Sequence, residues 1–226
     1  MLTFELNDLL AVAEGYGSHD NPLESLWPKL VWGTRDRRPE DRYEELVLFM
    51  KHWRAFRFPG GVNSFGQIYP GWLAENKEIL ARLKGRSLYS LSAENGLYSV
   101  LCLGTNAWEA GMRPTTFGKL LHFLLPETVL LWDQKVVRDQ YELDGDPCSF
   151  LAYQCFGLKL LRHISRKDGV NSLRALEETH AKSIGYFEPL TRILDHLAYD
   201  EPMADRAVSV LGGHARAFAL ELPAPK

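Results

Sequence analysis

Cysteine is scarce in this chain of 226 residues: Cys102, Cys148 and Cys155 are odd in number and contain no C-x-x-C pair. That excludes a disulfide framework and a thiolate metal knuckle, and free thiols in a reducing, cytoplasmic compartment are expected. The first residues, Met1 to Asp8, have neither a basic start nor a long apolar stretch, so no signal peptide is expected. No apolar run approaches the length of about 20 residues that crosses a bilayer, so no membrane partner is expected. The seven histidines show no H-E-x-x-H or comparable spacing, and neither a metal nor another cofactor is expected. Gly60-Gly61 lies in no phosphate-binding or dinucleotide fingerprint and reads as a turn. A G-x-S-x-G nucleophile elbow is missing. Asp144-Gly145-Asp146-Pro147 lacks the downstream glutamate of a calcium loop and reads as a polar turn. Strict apolar-polar alternation is also rare, which leaves room for few, short strands.

What is present suits a folded helical protein. Hydrophobic residues make up 46% of the chain, and six Trp, nine Tyr and eleven Phe exclude a disordered one. The length supports one compact helical unit, or two closely packed lobes. A net charge of −3 gives no bulk preference for nucleic acid. The charge is uneven, however: Lys29 to Arg57 holds eight Lys/Arg against five Asp/Glu, while Glu177 to Asp205 is acidic. A basic face on an acidic protein, or ordinary solvated helix faces, both fit that pattern.

Periodicity predicts an all-α architecture. A first helix is expected over Asn7 to Glu14, with Leu9, Leu10 and Ala13 inward. Gly15 to Pro39 gives no period and reads as irregular. Pro39 opens a helix through Tyr43, Leu46, Val47, Met50 and Trp53, with Arg54 and Arg57 on its polar side. Phe58-Pro59-Gly60-Gly61 breaks it, a loop is expected to Pro70-Gly71, and a further helix runs to Leu83 and stops at Gly85. Glu94 to Ala110 reads as a buried helix in which Gly104 marks the close approach of a neighbour. Later helices are expected over Asp133 to Glu142, Phe150 to Ile164, Asn171 to Thr179 and Tyr186 to Leu197. The last is capped by Asp200, with Glu201-Pro202 in its first turn and Gly212-Gly213 at its end.

The chemistry-bearing stretch lies between these. Thr115-Thr116-Phe117-Gly118-Lys119-Leu120-Leu121-His122-Phe123 opens a helix that stops before Pro126. After a short apolar link, Leu131-Trp132-Asp133-Gln134-Lys135-Val136 begins another. At 100° per residue, Phe117, Leu120, Leu121, Leu124 and Leu125 share one face. Lys119 then falls nearly opposite, beside His122, where a solvated lysine is expected. A cation in the first turn opposes the helix macrodipole, which favours the neutral amine that a nucleophile needs. Asp133 reads equally as an N-cap. Glu94 and Glu109 form a possible acid pair for glycoside hydrolysis, but both read better as solvated helix positions.

The segments Phe117 to Phe123 and Leu131 to Val136 resemble the core of the helix-hairpin-helix DNA glycosylase superfamily, nearest the bacterial proteins described as having an 8-oxoguanine DNA glycosylase fold. The resemblance covers about Glu94 to Phe156. It implies that Lys119 is the nucleophile and Asp133 the catalytic carboxylate of a base-excision repair enzyme. A damaged base would be flipped into an aromatic pocket that includes Trp132 and His122. Lys119 would then attack C1′ and give a Schiff base able to proceed to AP lyase strand cleavage. Arg113, Thr115, Thr116 and Gly118 would hold the DNA backbone at a helix N-terminus. The alternative from another class is a non-catalytic helical module that binds DNA or a protein partner. A cleft holding Lys119 and Asp133 within reach of one reacting atom favours the enzyme, and Lys119 in open solvent, away from Asp133, favours the module.

Overall fold

Helices account for all the regular structure among the described residues. The computed structural model describes residues 3–17, 24–56, 60–92 and 96–212, and of residues 16, 17, 24 and 134–136 the backbone alone. Arg57, Pro59, Glu94 and Gly213, singled out above, lie outside the described residues.

The chain opens with α1 (Leu6–Gly17), which buries Leu9 and Ala13 and leaves Leu10 partly covered. Part of the stretch expected to be irregular is helical: a 3-10 turn spans Glu24–Leu26 and a single π turn spans Pro28–Trp32. Both are too short to show a period in the sequence. A second 3-10 turn, Pro39–Arg42, leads into α2 (Tyr43–His52). Then comes α3 (Gly61–Leu83), which runs unbroken through Pro70 where a loop was expected. An interior proline costs a helix about 3 kcal/mol. Burial of Phe65, Tyr69, Trp72, Leu73, Leu80 and Leu83 on one face offsets it. At the far end Lys84 and Gly85 close the helix, Gly85 at φ +72.

The remaining helices are α4 (Tyr98–Glu109), α5 (Pro114–Leu124), α6 (Gln134–Tyr141), α7 (Pro147–Asp168), α8 (Val170–Ile184), α9 (Leu190–Leu197) and α10 (Glu201–Val210). Two have side-chain caps, Asp200 as expected and Asp146 from the stretch read as a polar turn. Asp146 accepts the Ser149 N–H at 2.7 Å ahead of α7, and Asp200 accepts the Met203 N–H at 3.2 Å ahead of α10. No helix among the described residues is long and apolar enough to cross a membrane.

α5 is the centre of the packing. It touches α2, α4 and α7, and every residue from Thr116 to Leu124 is buried. Gly104 of α4 meets it closely, as expected: a Cβ there would stand 3.5 Å from the rings of Phe117 and Phe150. On the other side Arg42 is 1% exposed. It donates to Thr34 Oγ1 at 3.0 Å and to the carbonyls of Val31 and Phe123 at 3.1 Å, tying the π turn to α5. Burial lowers its pKa to about 10, so it stays a cation. α9 is covered on all sides, including Arg192, which pairs with Asp195, and it rests on α1 and α10.

Candidate functional site

Lys119 does not stand in solvent. Its side chain is 2% exposed, and its Nζ donates to the Trp53 carbonyl and, at 3.2 Å, to Asp133 Oδ2. The helical period gave its angular position on α5 correctly. What the period does not carry is that α2 closes over that side.

The Trp53 carbonyl follows from how α2 ends. The Ala55 N–H bonds to the Met50 carbonyl at 2.8 Å, and the Arg54 N–H to the Lys51 carbonyl at 3.1 Å. This is a Schellman stop, a motif that usually carries glycine at the residue held here by Arg54 with φ +52. A side chain in that region costs about 1–2 kcal/mol. The turn delivers the ammonium's acceptor at the negative end of the α2 dipole.

Asp133 reaches the same point from a well-anchored link, residues 125–133. Gln154 of α7 clamps Leu130 from both sides, accepting its N–H at 2.7 Å and donating to its carbonyl at 3.3 Å. Thr128 donates to the Leu83 carbonyl at 3.2 Å, and the Glu127 carbonyl accepts the Leu88 N–H at 2.9 Å. Trp132 is fully buried against Phe150 and Tyr153. Gly118 makes room for it, since a Cβ on that residue would lie 2.5 Å from Trp132 Cβ. The next residue is Asp133, whose side chain is 30% exposed. The result is a dry amine behind a carboxylate that reaches water.

The other residues expected here divide. Arg113 caps the N-terminal end of α5, is exposed, and lies over the Trp108 ring at 5.3 Å. Thr115 is partly exposed. Thr116 is 1% exposed and donates to the Ala55 carbonyl at 2.8 Å, and Gly118 is buried against Trp132. Neither presents a surface to a phosphate, because the first turns of α5 are covered by the 53–56 segment and by the link. Trp132 and His122 are likewise fully covered and offer no wall to a ligand as they stand.

His122 has a structural task. It accepts the Trp27 indole N–H on Nε2 at 3.1 Å, and its Nδ1 is 2.7 Å from the Val129 carbonyl. An indole only donates and a carbonyl only accepts, so the neutral Nδ1–H tautomer is the one that satisfies both. Burial lowers its pKa to about 3, and His196 is also pushed well below the usual histidine value by burial. Below pH 6.5 the unfolded chain therefore holds protons that these folded histidines do not, for His122 down to about pH 3. Their contribution is fully present above pH 6.5 and is lost as pH falls, by up to about 1.4 kcal/mol per unit for each group. Glu177 works in the opposite sense between pH 7 and 4.5, because burial raises its pKa to about 7. Glu127, also raised by burial, acts in the same sense as Glu177. The two histidines, both displaced far from their ordinary value, outweigh the pair, so urea midpoints should fall from pH 7 to pH 5, and a flat or rising profile would contradict burial of the two histidines in neutral form.

Sequence reading missed Trp53 as the acceptor and Gln154 as the clamp. The first uses a backbone atom and leaves no side-chain signal. The second was visible as a lone amide in the apolar run Ala152-Tyr153-Gln154-Cys155-Phe156, which is buried throughout. Glu109 is exposed. Among the described residues, no three His, Cys, Asp or Glu side chains gather as a metal site. No protein-family model, curated protein or solved structure matches this chain.

Proposed function

We propose that this protein is a DNA glycosylase-like base-excision enzyme with AP lyase activity, in which Lys119 is the nucleophile and Asp133 its carboxylate partner. The observation that carries the reading is the ammonium of Lys119, 2% exposed, held 3.2 Å from a carboxylate that is itself 30% exposed. A substrate that reaches Asp133 is then one side chain from the amine. The sequence resemblance through Phe117 to Phe123 and Leu131 to Val136 supports the same assignment.

Asp133 takes a proton from the Lys119 ammonium, and the freed Nζ lone pair attacks C1′ of a flipped nucleotide. The bond from C1′ to the base nitrogen breaks, and the base leaves with that electron pair and takes the proton that Asp133 received, which restores the carboxylate. The C1′–N adduct opens the sugar ring to a protonated Schiff base, from which loss of a C2′ proton expels the 3′ phosphate. The Asp133 carboxylate also stabilises positive charge as it develops at the sugar. Exposed Arg54 and Arg113 supply cations for the DNA backbone; Thr115 adds a hydroxyl.

One observation favours a second reading. The Lys119 ammonium joins α5 to the end of α2 and the start of α6, which is also what a purely structural ion pair does. On that reading the protein is a non-catalytic helical module that binds DNA or a protein partner.

Borohydride reduction separates the two. The protein is incubated with duplexes carrying 8-oxoguanine or an abasic site, with Lys119→Gln alongside and its folding checked by circular dichroism. A covalent band seen with the parent protein and absent from folded Lys119→Gln is the expected result. No band from the folded parent protein on either duplex removes the lyase mechanism and leaves the binding module.

A further inference from the structure

The first half of α3 carries a groove made of residues other than those around Lys119. Glu40, Tyr43, Gly66, Tyr69, Pro70 and Leu73 line it, and it holds about 360 Å³, a size suited to a small organic molecule. Its polar groups are mainly acceptors. Pro70 has no N–H, so the Gly66 carbonyl four residues earlier receives no helical hydrogen bond from it. The Glu40 carboxylate is exposed and makes no ion pair or hydrogen bond among the described residues. The Tyr43 hydroxyl lies against Gly66, 2.9 Å from where a Cβ would stand, and also has no hydrogen-bond partner among the described residues. The Tyr69 hydroxyl is engaged, donating to the Pro39 carbonyl at 3.3 Å. No lysine or arginine lines the groove. Arg42, nearby, is committed to Thr34 and to the Val31 and Phe123 carbonyls.

We infer that this groove binds a small organic cation, an ammonium group carried on an apolar body. Glu40 supplies the counter-charge, and the Gly66 carbonyl and Tyr43 hydroxyl accept its N–H groups. The two phenol rings with Pro70 and Leu73 cover the hydrocarbon part. A cation gains an ion pair with Glu40 that a neutral ligand does not, and an anion would meet the Glu40 carboxylate and the Gly66 carbonyl, so the groove selects by charge as well as by shape. The assignment uses no residue of the Lys119 site and stands or falls separately from it.

Calorimetric titration with benzylammonium, and with benzyl alcohol as its neutral counterpart, tests it. The cation should bind about tenfold more tightly than the alcohol. Glu40→Gln, at an exposed position that leaves the fold alone, should remove most of that preference while leaving the alcohol unchanged. Ala74→Phe, exposed at the edge of the groove, should weaken both ligands. Absence of benzylammonium binding, equal affinity for the two ligands, or a preference that survives Glu40→Gln would overturn the inference.

Discussion

Asp133→Asn is expected to cost the fold about 3 kcal/mol, whereas Lys119→Met is expected to cost less than about 1 kcal/mol. The asymmetry comes from burial. Lys119 is 2% exposed and Asp133 30% exposed, on the two ends of one ion pair. Removing the carboxylate leaves a unit of positive charge in a dry site and an amide in place of its counter-charge. Removing the lysine instead leaves a carboxylate that turns to water, while methionine refills most of the volume of the lysine stem. The double variant should lie close to Lys119→Met, because the charge that made Asp133 necessary is gone. Urea unfolding of the three variants beside the parent protein measures all of this. If Asp133→Asn were no worse than Lys119→Met, the ammonium would not be as buried as described. A lysine that stability hardly requires, and that trapping does require, would also be hard to explain as a purely structural one.

The second large effect is expected from one methyl group. Gly118→Ala should destabilise the protein by about 2–3 kcal/mol and abolish any Schiff-base trapping. Alanine is ordinarily the better helix residue by about 1 kcal/mol, so the sign itself is diagnostic. The new Cβ would stand 2.5 Å from Trp132 Cβ and 3.2 Å from its Cγ. Trp132 has little freedom to move, being fully buried against Phe150 and Tyr153 with its link clamped by Gln154. Relief therefore comes only at the expense of that packing, by forcing residues 131–133 away from α5, which costs stability and draws Asp133 away from Lys119. Gly104→Ala is the matched control. Its Cβ would meet the Phe117 and Phe150 rings at 3.5 Å, an ordinary contact, so that variant should be neutral or slightly more stable. Thermal melts of the two alanine variants decide the matter, and equal stability of both would refute the close approach at Gly118.

The sequence carried the helices well where a buried face repeats every three or four residues. Leu46 and Met50 in α2, and Leu97 and Val100 at α4, are buried as their spacing implies. Asp200 caps α10 because a short side-chain acceptor before Glu201-Pro202 has little else to do. It failed at Pro70, where local stiffness argued for a loop and seven buried positions argued for a helix. The decisive term there is tertiary. Lys119 shows the same limit from the other side. The period of α5 fixed one apolar face correctly, but α5 is covered on the remaining sides too, with α2, α4 and α7 all packed against it. Thr116 and Gly118 were read as groups open to phosphate for the same reason, and both are interior. The juxtaposition of Lys119 and Asp133 came from a short motif; the parts that bring it about, the Trp53 carbonyl and the Gln154 clamp, lie 66 residues before the lysine and 24 after Leu130.

The pairing of α1 with α9 sets a clock on biosynthesis. Leu6–Gly17 emerges from the ribosome long before Leu190–Leu197 has been made. At about 5–20 residues per second the wait is on the order of ten to forty seconds. Throughout it Leu9, Val12 and Ala13 have no α9 to cover them, and the Arg206 guanidinium that will hold Asp8 at 2.8 Å has not been synthesised. The apolar face of Leu6–Gly17 thus stays without its α9 partner until the residues of α9 have been made, so this packing closes only late in synthesis.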